Sequence, residues 1–409
     1  MASSPPFLLL LPLFFSFLIY PIHALSQISL SQPSVFLPVT RDPTTLQYIT
    51  QIHHEKPTNL IIDLSAPFLW IDCDSGEPKL PSRRVIPSCS IQCSMAKPFH
   101  FGDNNKKHCF FGTHLSSCSL SVQNPISGST SKGVLVEDVI AVGSKSGKQV
   151  TDSFLFACAP TAMLNGLASE AQGILGLGRS PISIPSQLAA KFEFQNKFAT
   201  CLSNSNGFIS FGNMGTNSIS GLTYTNLVHD SQDYFINVRA IKINGKRVAL
   251  GLGQEGIGSR TKISTLVAYT TLESTIYGIF KNAYLKAAIF MNMTRVVPSG
   301  APFDLCFSSK GIENISVPVI DLVLQSEMVK WRIYGRNSMV KVSEDVMCLG
   351  ILDGGLDSKT SIVIGGFQLE DMLLEFDLGT NMLGFSQPLS LRQASCSDFL
   401  LESGVKELM

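Results

Sequence analysis

Short apolar runs recur along most of the chain, separated by Gly, Asn, Ser and Asp. This alternation is typical of an all-β protein, because short strands need turn-forming residues between them. The clearest predicted strands are Leu60–Ile62, Phe68–Ile71, Gly133–Val142, Ser153–Ala157, Gly207–Phe211, Tyr234–Ile243, Ile320–Val323, Trp331–Tyr334, Met347–Ile351, Ser361–Ile364 and Leu373–Asp377.

Two stretches carry apolar residues at helical spacing instead. They predict helices over Pro181–Ala190, with Pro185 in an early turn, and over Glu273–Ile289. Asn244-Gly245 lies between two strand-like runs and predicts a tight hairpin turn.

The first 26 residues have the features of a secretory signal peptide. An apolar core, PFLLLLPLFFSFLIY, is followed by Ala24-Leu25-Ser26, which places small residues at the −3 and −1 positions of a cleavage site. No later stretch contains the roughly 18–20 uninterrupted apolar residues that a membrane-spanning helix needs. We therefore expect a secreted protein that begins near Gln27 and has no membrane segment.

Charge and cysteine content narrow the class of protein further. The chain has 31 basic and 31 acidic residues among 409, so nothing electrostatic favours a nucleic-acid partner. Ten cysteines fit an oxidising compartment. Zinc ligation is the competing interpretation, but no pair has Cys-x-x-Cys spacing, and we expect neither metal nor cofactor. The cysteines are Cys73, Cys89, Cys93, Cys109, Cys118, Cys158, Cys201, Cys306, Cys348 and Cys396.

Two pairs of segments repeat between the halves of the chain. LIIDLSAPFLWI (60–71) and ISTLVAYTTL (263–272) each place a polar residue after β-branched residues and before a hydrophobic run. That residue is Asp63 in the first half and Ser264 in the second. GILGLGRS (173–180) and SIVIGGFQLED (361–371) each run from apolar residues into glycine. The four segments alternate along the chain, as a duplicated lobe would require.

This layout resembles the pepsin-like aspartic proteases, in which each lobe supplies one Asp-Thr/Ser-Gly turn. More narrowly, the chain resembles the plant subgroup of xylanase-inhibitor-like, extracellular dermal glycoprotein and basic 7S globulin proteins. The resemblance implies a bilobal, double-barrel, all-β fold with lobes over 27–215 and 222–398 and a tail over 399–409. It is carried by LWIDCD (69–74), FLFACAP (154–160), GLASEAQGILGLGRSPISIPSQLA (166–189), KFATCLS (197–203), YFINVRAIKING (234–245), APFDLCFSSKGI (301–312), IDLVLQSEMVKWRIYGRNSMV (320–340) and SIVIGGFQLEDMLLEFDL (361–378).

The family pattern also implies covalent features. It pairs Cys306 with Cys348 and Cys201 with Cys396, which leaves six N-terminal cysteines with fifteen possible pairings. The subgroup usually has twelve cysteines, and residues 94–118 are shortened where the others carry more. Asn292 and Asn314 begin glycosylation sequons, which secretion makes accessible to modification.

Proteolysis by this family needs two carboxylates that share one proton, so that one acts as base and the other as acid. Ser264 offers a hydroxyl in the second position, which leaves Asp63 as an unpaired, structural residue. The turn after Asp63 lacks glycine, so we expect the Leu64 and Ser65 amides to approach the carboxylate less closely. Pro67 removes a further amide donor. The flap tyrosine expected in a hairpin around 124–133 is also missing, since no tyrosine lies between Tyr48 and Tyr224. We predict a protein without protease activity.

Members of the subgroup bind and inhibit microbial xylanases and xyloglucan-specific endoglucanases in the plant cell wall. The resemblance therefore implies a monomeric, apoplastic inhibitor whose partner is a glycoside hydrolase. Such enzymes hold two carboxylates in an open cleft, and a loop arginine would form charge-assisted hydrogen bonds there. Arg295, in the loop sequence MNMTRVVPSGAP, and Arg392, in SQPLSLRQASC, are the candidates.

Two alternatives remain open. One is a seed storage or peptide-binding glycoprotein like basic 7S globulin; the other is an active aspartic endopeptidase.

His53-His54 is interpreted as an exposed turn rather than a metal site. Lys246-Arg247 is dibasic, but its place in a predicted hairpin should make it poorly accessible.

Overall fold

Strands make up most of the regular structure in the computed structural model. It describes residues 35–74, 82–97, 116–143, 149–212, 221–228, 232–250, 258–298, 300, 302–310, 316–356 and 359–402. The predicted signal peptide, Cys109 and Asn314 lie outside these residues.

The strands are β1 (Val35–Arg41), β2 (Tyr48–His54), β3 (Lys56–Asp63), β4 (Trp70–Asp72), β5 (Arg84–Val85), β6 (Ser119–Asn124), β7 (Ser129–Gly143), β8 (Gln149–Ala159), β9 (Gly173–Gly176), β10 (Lys197–Cys201), β11 (Gly207–Phe211), β12 (Thr223–Asn226), β13 (Phe235–Val238), β14 (Ala240–Ile243), β15 (Lys246–Arg247), β16 (Gly258–Ile263), β17 (Thr270–Leu272), β18 (Arg295–Val296), β19 (Cys306–Ser308), β20 (Ile320–Ser326), β21 (Val329–Ile333), β22 (Met339–Ser343), β23 (Val346–Leu349), β24 (Ile351–Asp353), β25 (Ile362–Ile364), β26 (Leu373–Asp377) and β27 (Met382–Phe385). The helices are α1 (Ile91–Ala96), α2 (Ile184–Phe192), α3 (Ser274–Phe290), α4 (Gly335–Ser338), α5 (Gly366–Leu369) and α6 (Cys396–Glu402), with 3₁₀ turns at Thr161–Leu164 and Leu389–Arg392.

Most predicted elements are present, and the exceptions have local reasons. The strand predicted over 234–243 divides at Arg239, because β13 joins one sheet and β14 another. Helix α2 begins at Ile184 rather than at 181, since residues 180–183 form a turn in which the Ser183 amide donates to the Ser180 carbonyl at 3.0 Å. Glu273 caps α3, accepting hydrogen bonds from the Thr275 and Ile276 amides.

The two halves of the chain repeat one strand arrangement. In the first half β2 pairs antiparallel with β3, β3 parallel with β9, β9 antiparallel with β4, and β4 parallel with β8. In the second half β13, β16, β25, β17 and β24 follow one another with the same sequence of directions. The two halves therefore repeat each other in structure, as the repeated segments in the sequence predicted. The fold is all-β and pepsin-like.

The halves also share a sheet and a core. Strand β10 pairs with β26, so that Phe198 lies opposite Phe376 and their rings stack at 4.8 Å. The Arg41 guanidinium and the Tyr48 hydroxyl donate to the Glu370 carboxylate at 2.7 and 2.9 Å. Residues about 330 positions apart are therefore in direct contact.

Disulfides brace this body. Cys201 pairs with Cys396 and Cys306 with Cys348, the pairs that the family resemblance implies. In the N-terminal half Cys73 pairs with Cys158 and Cys93 with Cys118, and Cys89 is also disulfide-bonded. Among the described helices, none is long and apolar enough to cross a bilayer.

The interpretation of His53-His54 as an exposed turn is wrong for both residues, because His53 is half-buried and His54 is buried. Both residues lie at the end of β2, and His54 is buried with its Nε2 3.1 Å from Asp138. Arg83 donates to Asp138 and to Glu55, each at 3.2 Å. The sequence does not show that strand β7 pairs with β2 at His53 and contributes Asp138, which contacts His54.

Candidate functional site

Asp63 ends β3 at the place where the first-half strands converge. Its neighbour on the parallel strand β9 is Gly176, where a side chain is excluded because an added Cβ would lie 2.3 Å from the Phe68 carbonyl oxygen. The Asp63 side chain is 2% exposed. Burial raises its pKa from 3.8 to about 6, and a hydrogen bond from the Ser65 amide opposes that shift.

The turn after Asp63 differs from the prediction. Without glycine, the Leu64 and Ser65 amides were expected to approach the carboxylate less closely. The Ser65 amide nevertheless donates to Asp63 Oδ1 at 2.7 Å. The expectation was therefore wrong for Ser65, because this amide reaches the carboxylate without needing glycine's conformational freedom.

Ser264 lies in the equivalent place of the second half. Ser264 directly follows β16, as Gly365 directly follows the paired strand β25. A side chain at Gly365 is excluded because an added Cβ would lie 2.4 Å from the Tyr269 carbonyl carbon. Ser264 is 4% exposed, and its Oγ accepts hydrogen bonds from the Leu266 and Val267 amides at 3.2 and 3.3 Å. The Ser264 side chain thus satisfies two backbone amides of its own turn, but it supplies a hydroxyl instead of an acid.

Thr265 connects the two turns directly. Its hydroxyl donates to the Ile62 carbonyl at 2.6 Å, and Thr265 Oγ1 accepts a hydrogen bond from the Leu64 amide at 3.4 Å. The Ser264 turn is thereby held against the Asp63 turn. Leu64, in the position that corresponds to Thr265, has no hydroxyl with which to make the reciprocal contact. Sequence reasoning missed Thr265, although a threonine directly after the second polar position was visible.

Two charged residues influence the Asp63 carboxyl and were also missed. Lys262 lowers the Asp63 pKa and Asp233 raises it, after the larger effects of burial and the Ser65 amide. Lys262 Nζ is 3.2 Å from Asp233. Lys262 precedes Ser264 by two residues, so the alternation of a strand places both on one face. The charged neighbours of Asp63 therefore include an ion pair contributed by the second half.

The hairpin of β6 and β7 takes the place predicted for the flap. Its tip is fixed by Asn124, which is fully buried. The Asn124 amide group donates to the carbonyls of Met163 and Asn165 at 2.7 and 2.9 Å, and its oxygen accepts from the amides of Ile126 and Ser127 at 2.8 and 3.2 Å. This hairpin is tied to the 3₁₀ turn at Thr161–Leu164.

The two candidate arginines lie on different elements. Arg295 is exposed on the two-residue strand β18, at the edge of the sheet β18-β19-β23-β22, rather than in a loop, because it pairs with Phe307. Arg392 ends the 3₁₀ turn at Leu389–Arg392 and is also exposed. Its guanidinium packs on Gly221, where an added Cβ would lie 2.5 Å from Nη2. The sequence predicted that loops present both residues, whereas Arg295 lies on strand β18 and Arg392 lies in a 3₁₀ turn.

Comparison with known proteins agrees with this architecture. The family model described as Xylanase inhibitor N-terminal matches residues 48–213, and the one described as Xylanase inhibitor C-terminal matches residues 233–387. The chain is 40% identical to "Probable aspartic proteinase GIP2" of Nicotiana benthamiana, covering 92% of this chain and 94% of the relative. It is 38% identical to "Gamma conglutin 1" of Prunus dulcis, covering 89% and 88%.

Solved structures are similar over the same extent. The crystal structure of edgp superposes with a TM-score of 0.80 at 40% identity, covering 90% of this chain and 98% of that one. Basic 7S globulin from soybean gives 0.77 at 33% identity, covering 90% and 99%. The chain belongs to the xylanase-inhibitor-like, edgp and basic 7S globulin subgroup of the pepsin-like aspartic protease family.

Proposed function

We propose that this protein is a secreted, non-proteolytic binder that inhibits microbial glycoside hydrolases in the plant cell wall. One observation carries the proposal: the Asp63 turn is hydrogen-bonded to a second turn in which the equivalent position holds Ser264, so the acid–base pair is incomplete. The match to xylanase-inhibitor family models supports the choice of partner class.

The chemistry explains why one carboxyl is insufficient. Two adjacent carboxylates divide one proton between them, because each raises the other's pKa when both are charged. Burial is the largest cause that raises the Asp63 pKa to about 6, and the nearby Asp233 carboxylate adds a smaller rise. Ser264 Oγ already accepts hydrogen bonds from two local amides, and its pKa as an alcohol lies far above any working pH. The site therefore supports the fold rather than the activation of water.

For target binding we propose Arg295 and Arg392. A guanidinium can form paired hydrogen bonds to a carboxylate, and such a contact within an enclosed cleft dominates interface energy. Arg392 suits this role because it packs on Gly221, which limits the number of conformations it would lose on binding. Because Arg295 lies on strand β18 and Arg392 in a 3₁₀ turn, each residue can be replaced without changing the element that holds the other.

The test is an inhibition titration against a fungal xyloglucan-specific endoglucanase and a xylanase. Arg295→Ala and Arg392→Ala should each weaken inhibition by about 30-fold, since central interface arginines contribute about 2 kcal/mol or more. Arg239→Ala, an exposed arginine between β13 and β14, is the matched control and should leave inhibition unchanged. Inhibition constants that stay the same in both variants and in the double variant would remove these residues from the binding surface.

A second candidate is a seed storage or peptide-binding protein. Identity to gamma conglutins and to basic 7S globulin favours it. The dibasic Lys246-Arg247 was expected to be poorly accessible to processing, but both residues are exposed on β15. Accumulation in seed protein bodies together with no effect on any cell-wall hydrolase would favour this candidate over inhibition.

A further inference from the structure

One face of the sheet β15-β14-β20-β21 carries charged side chains. Along β21, Trp331 and Ile333 are buried. Lys330 and Arg332 alternate with them and therefore lie on the opposite face, where their side chains are 32% and 35% exposed. The alternation along this strand thus gives the sheet one apolar face and one face that presents cations to solvent.

The charged residues of this face stand side by side across all four strands. Arg332 is the register partner of Asp321 on β20, and Asp321 is the partner of Lys242 on β14. Lys242 in turn lies opposite Arg247 on β15. Neighbouring strands are about 4.8 Å apart, so this row extends for about 14 Å across the sheet. We define Lys242, Arg247, Lys330 and Arg332 as the cationic face.

Asp321 orients the cations at one end of the cationic face. Its side chain is only 4% exposed, and its two oxygens accept hydrogen bonds from Arg332 Nε at 2.6 Å and from Arg332 Nη2 at 3.3 Å. Lys330 Nζ is 3.9 Å from Asp321 Oδ2, a distance at which the charges attract each other without a hydrogen bond. Two cations thus share one buried carboxylate, and a ligand that comes from solvent meets the cations first.

Glu327 forms a second group of the same kind at the other end. Its carboxylate oxygens are 2.5 Å from Lys242 Nζ and 2.8 Å from Arg247 Nη2. In the two groups together, four cations oppose two carboxylates, although the chain as a whole has no net charge. The positive excess is therefore a local property of this sheet face.

We infer that the cationic face binds a linear acidic polysaccharide, of the class in which uronic acid carboxylates repeat along the chain. A row of cations suits a polymer that offers several carboxylates at once, and each carboxylate can accept charge-assisted hydrogen bonds from Lys330 or Arg332. Because Asp321 already fixes the Arg332 guanidinium, little side-chain freedom is lost on binding. The choice of a polysaccharide among polyanions rests on the cell-wall location that the proposed function assumes. Such binding would retain the protein in the wall without involving Arg295 or Arg392.

The first test measures binding of the secreted full-length protein to polygalacturonate. We expect binding that weakens about tenfold between about 20 mM and about 200 mM NaCl, because salt screens exposed charges. Fully methyl-esterified pectin, in which the carboxylate charges are removed, should not bind. Absence of binding to polygalacturonate at the lower salt concentration would overturn the inference, as would equal binding of the esterified polymer.

The second test assigns the binding to this face. Lys330→Gln combined with Arg247→Gln leaves one cation for each carboxylate, so the double variant should bind polygalacturonate about tenfold more weakly. Lys310→Gln combined with Lys341→Gln is the matched control, because it removes the same charge from two exposed ion pairs outside this sheet. The control should bind as the wild type does. Equal weakening in both double variants would show that only overall charge matters, and would overturn the inference.

Two further measurements separate this inference from the proposed function. Both double variants should keep the Tm of the wild type to within about 2 °C, since the replaced side chains leave no buried charge unpaired. Inhibition of an endoglucanase that acts on neutral xyloglucan should be unchanged in Lys330→Gln with Arg247→Gln. Loss of inhibition together with loss of polygalacturonate binding would assign the face to the enzyme interface and contradict a separate polysaccharide site.

Discussion

Asp63 and Ser264 occupy equivalent positions in two copies of one strand arrangement, yet only Asp63 can titrate. Removal from water disfavours its charged form, and the Ser65 amide compensates incompletely. The folded protein therefore holds the Asp63 proton more tightly than the unfolded chain does. The resulting loss of stability is absent below pH 3.8, grows as pH rises to about 6, and is complete above that.

Asp63→Asn should remove this penalty while its side-chain oxygen still accepts the Ser65 hydrogen bond. We expect the variant to gain about 3 kcal/mol in free energy of unfolding at pH 7 and nothing at pH 3. Urea unfolding at both values measures the difference. Asp345→Asn, at a residue whose side chain is 57% exposed, is the control and should change stability by less than about 0.5 kcal/mol. A variant that is less stable than the wild type at pH 7 would show that the Asp63 charge stabilises the fold.

Some of these residues could be found from sequence and others could not. Asp63 and Ser264 follow recognisable apolar strands, so local pattern was enough. Thr265 contacts Ile62, 203 residues earlier, and local pattern contains no information on such contacts. Lys262 gave a weak signal, because strand alternation places it on the face of Ser264, but its pairing with Asp233 depends on the assembled fold.

Among the elements, the β6–β7 hairpin is the one whose tip is fixed, whereas a protease flap has to move. Its turn is built around one buried amide side chain that makes four hydrogen bonds. Gly128 has a φ of 69°, which suits this tight reversal. The tip is consequently attached to the segment at residues 161–165.

Asn124→Ala should leave two carbonyls and two amides without their partner and destabilise the protein by about 3 kcal/mol. Hydrogen exchange at the Ile126 and Ser127 amides should accelerate more than exchange in β7. Gln123→Ala is the control, since Gln123 is an exposed amide residue beside it. Unchanged exchange at the tip would mean that other contacts fix the hairpin.

Element boundaries show where sequence reasoning reaches its limit. Gly207–Phe211 and Leu373–Asp377 have the predicted bounds because each apolar run stays in one sheet. The runs at 234–243 and 347–351 were each predicted as one strand, but the chain passes between sheets at Arg239 and Gly350. Hydrophobicity persists across such a crossing, so the pattern alone does not mark it.

For the whole molecule, contacts between distant segments predict a single cooperative unfolding transition. The β10–β26 pairing, the Arg41–Glu370 ion pair and the Cys201–Cys396 disulfide join the halves. Trp70 lies in the first half and Trp331 in the second, and both are buried.

Because these are the two tryptophans of the chain, Trp70→Phe and Trp331→Phe each report on one half. In each variant, tryptophan fluorescence and far-ultraviolet circular dichroism should give the same urea midpoint. Midpoints that separate between the two probes would show that the halves unfold independently.

The absence of proteolysis is the central claim, and cleavage of denatured casein tests it most directly. Secreted, purified protein should produce no peptides above the level of the Asp63→Ala variant at any pH from 2 to 7. Pepstatin-sensitive cleavage that disappears in Asp63→Ala would contradict the account, because it would mean that the single carboxyl is enough for catalysis.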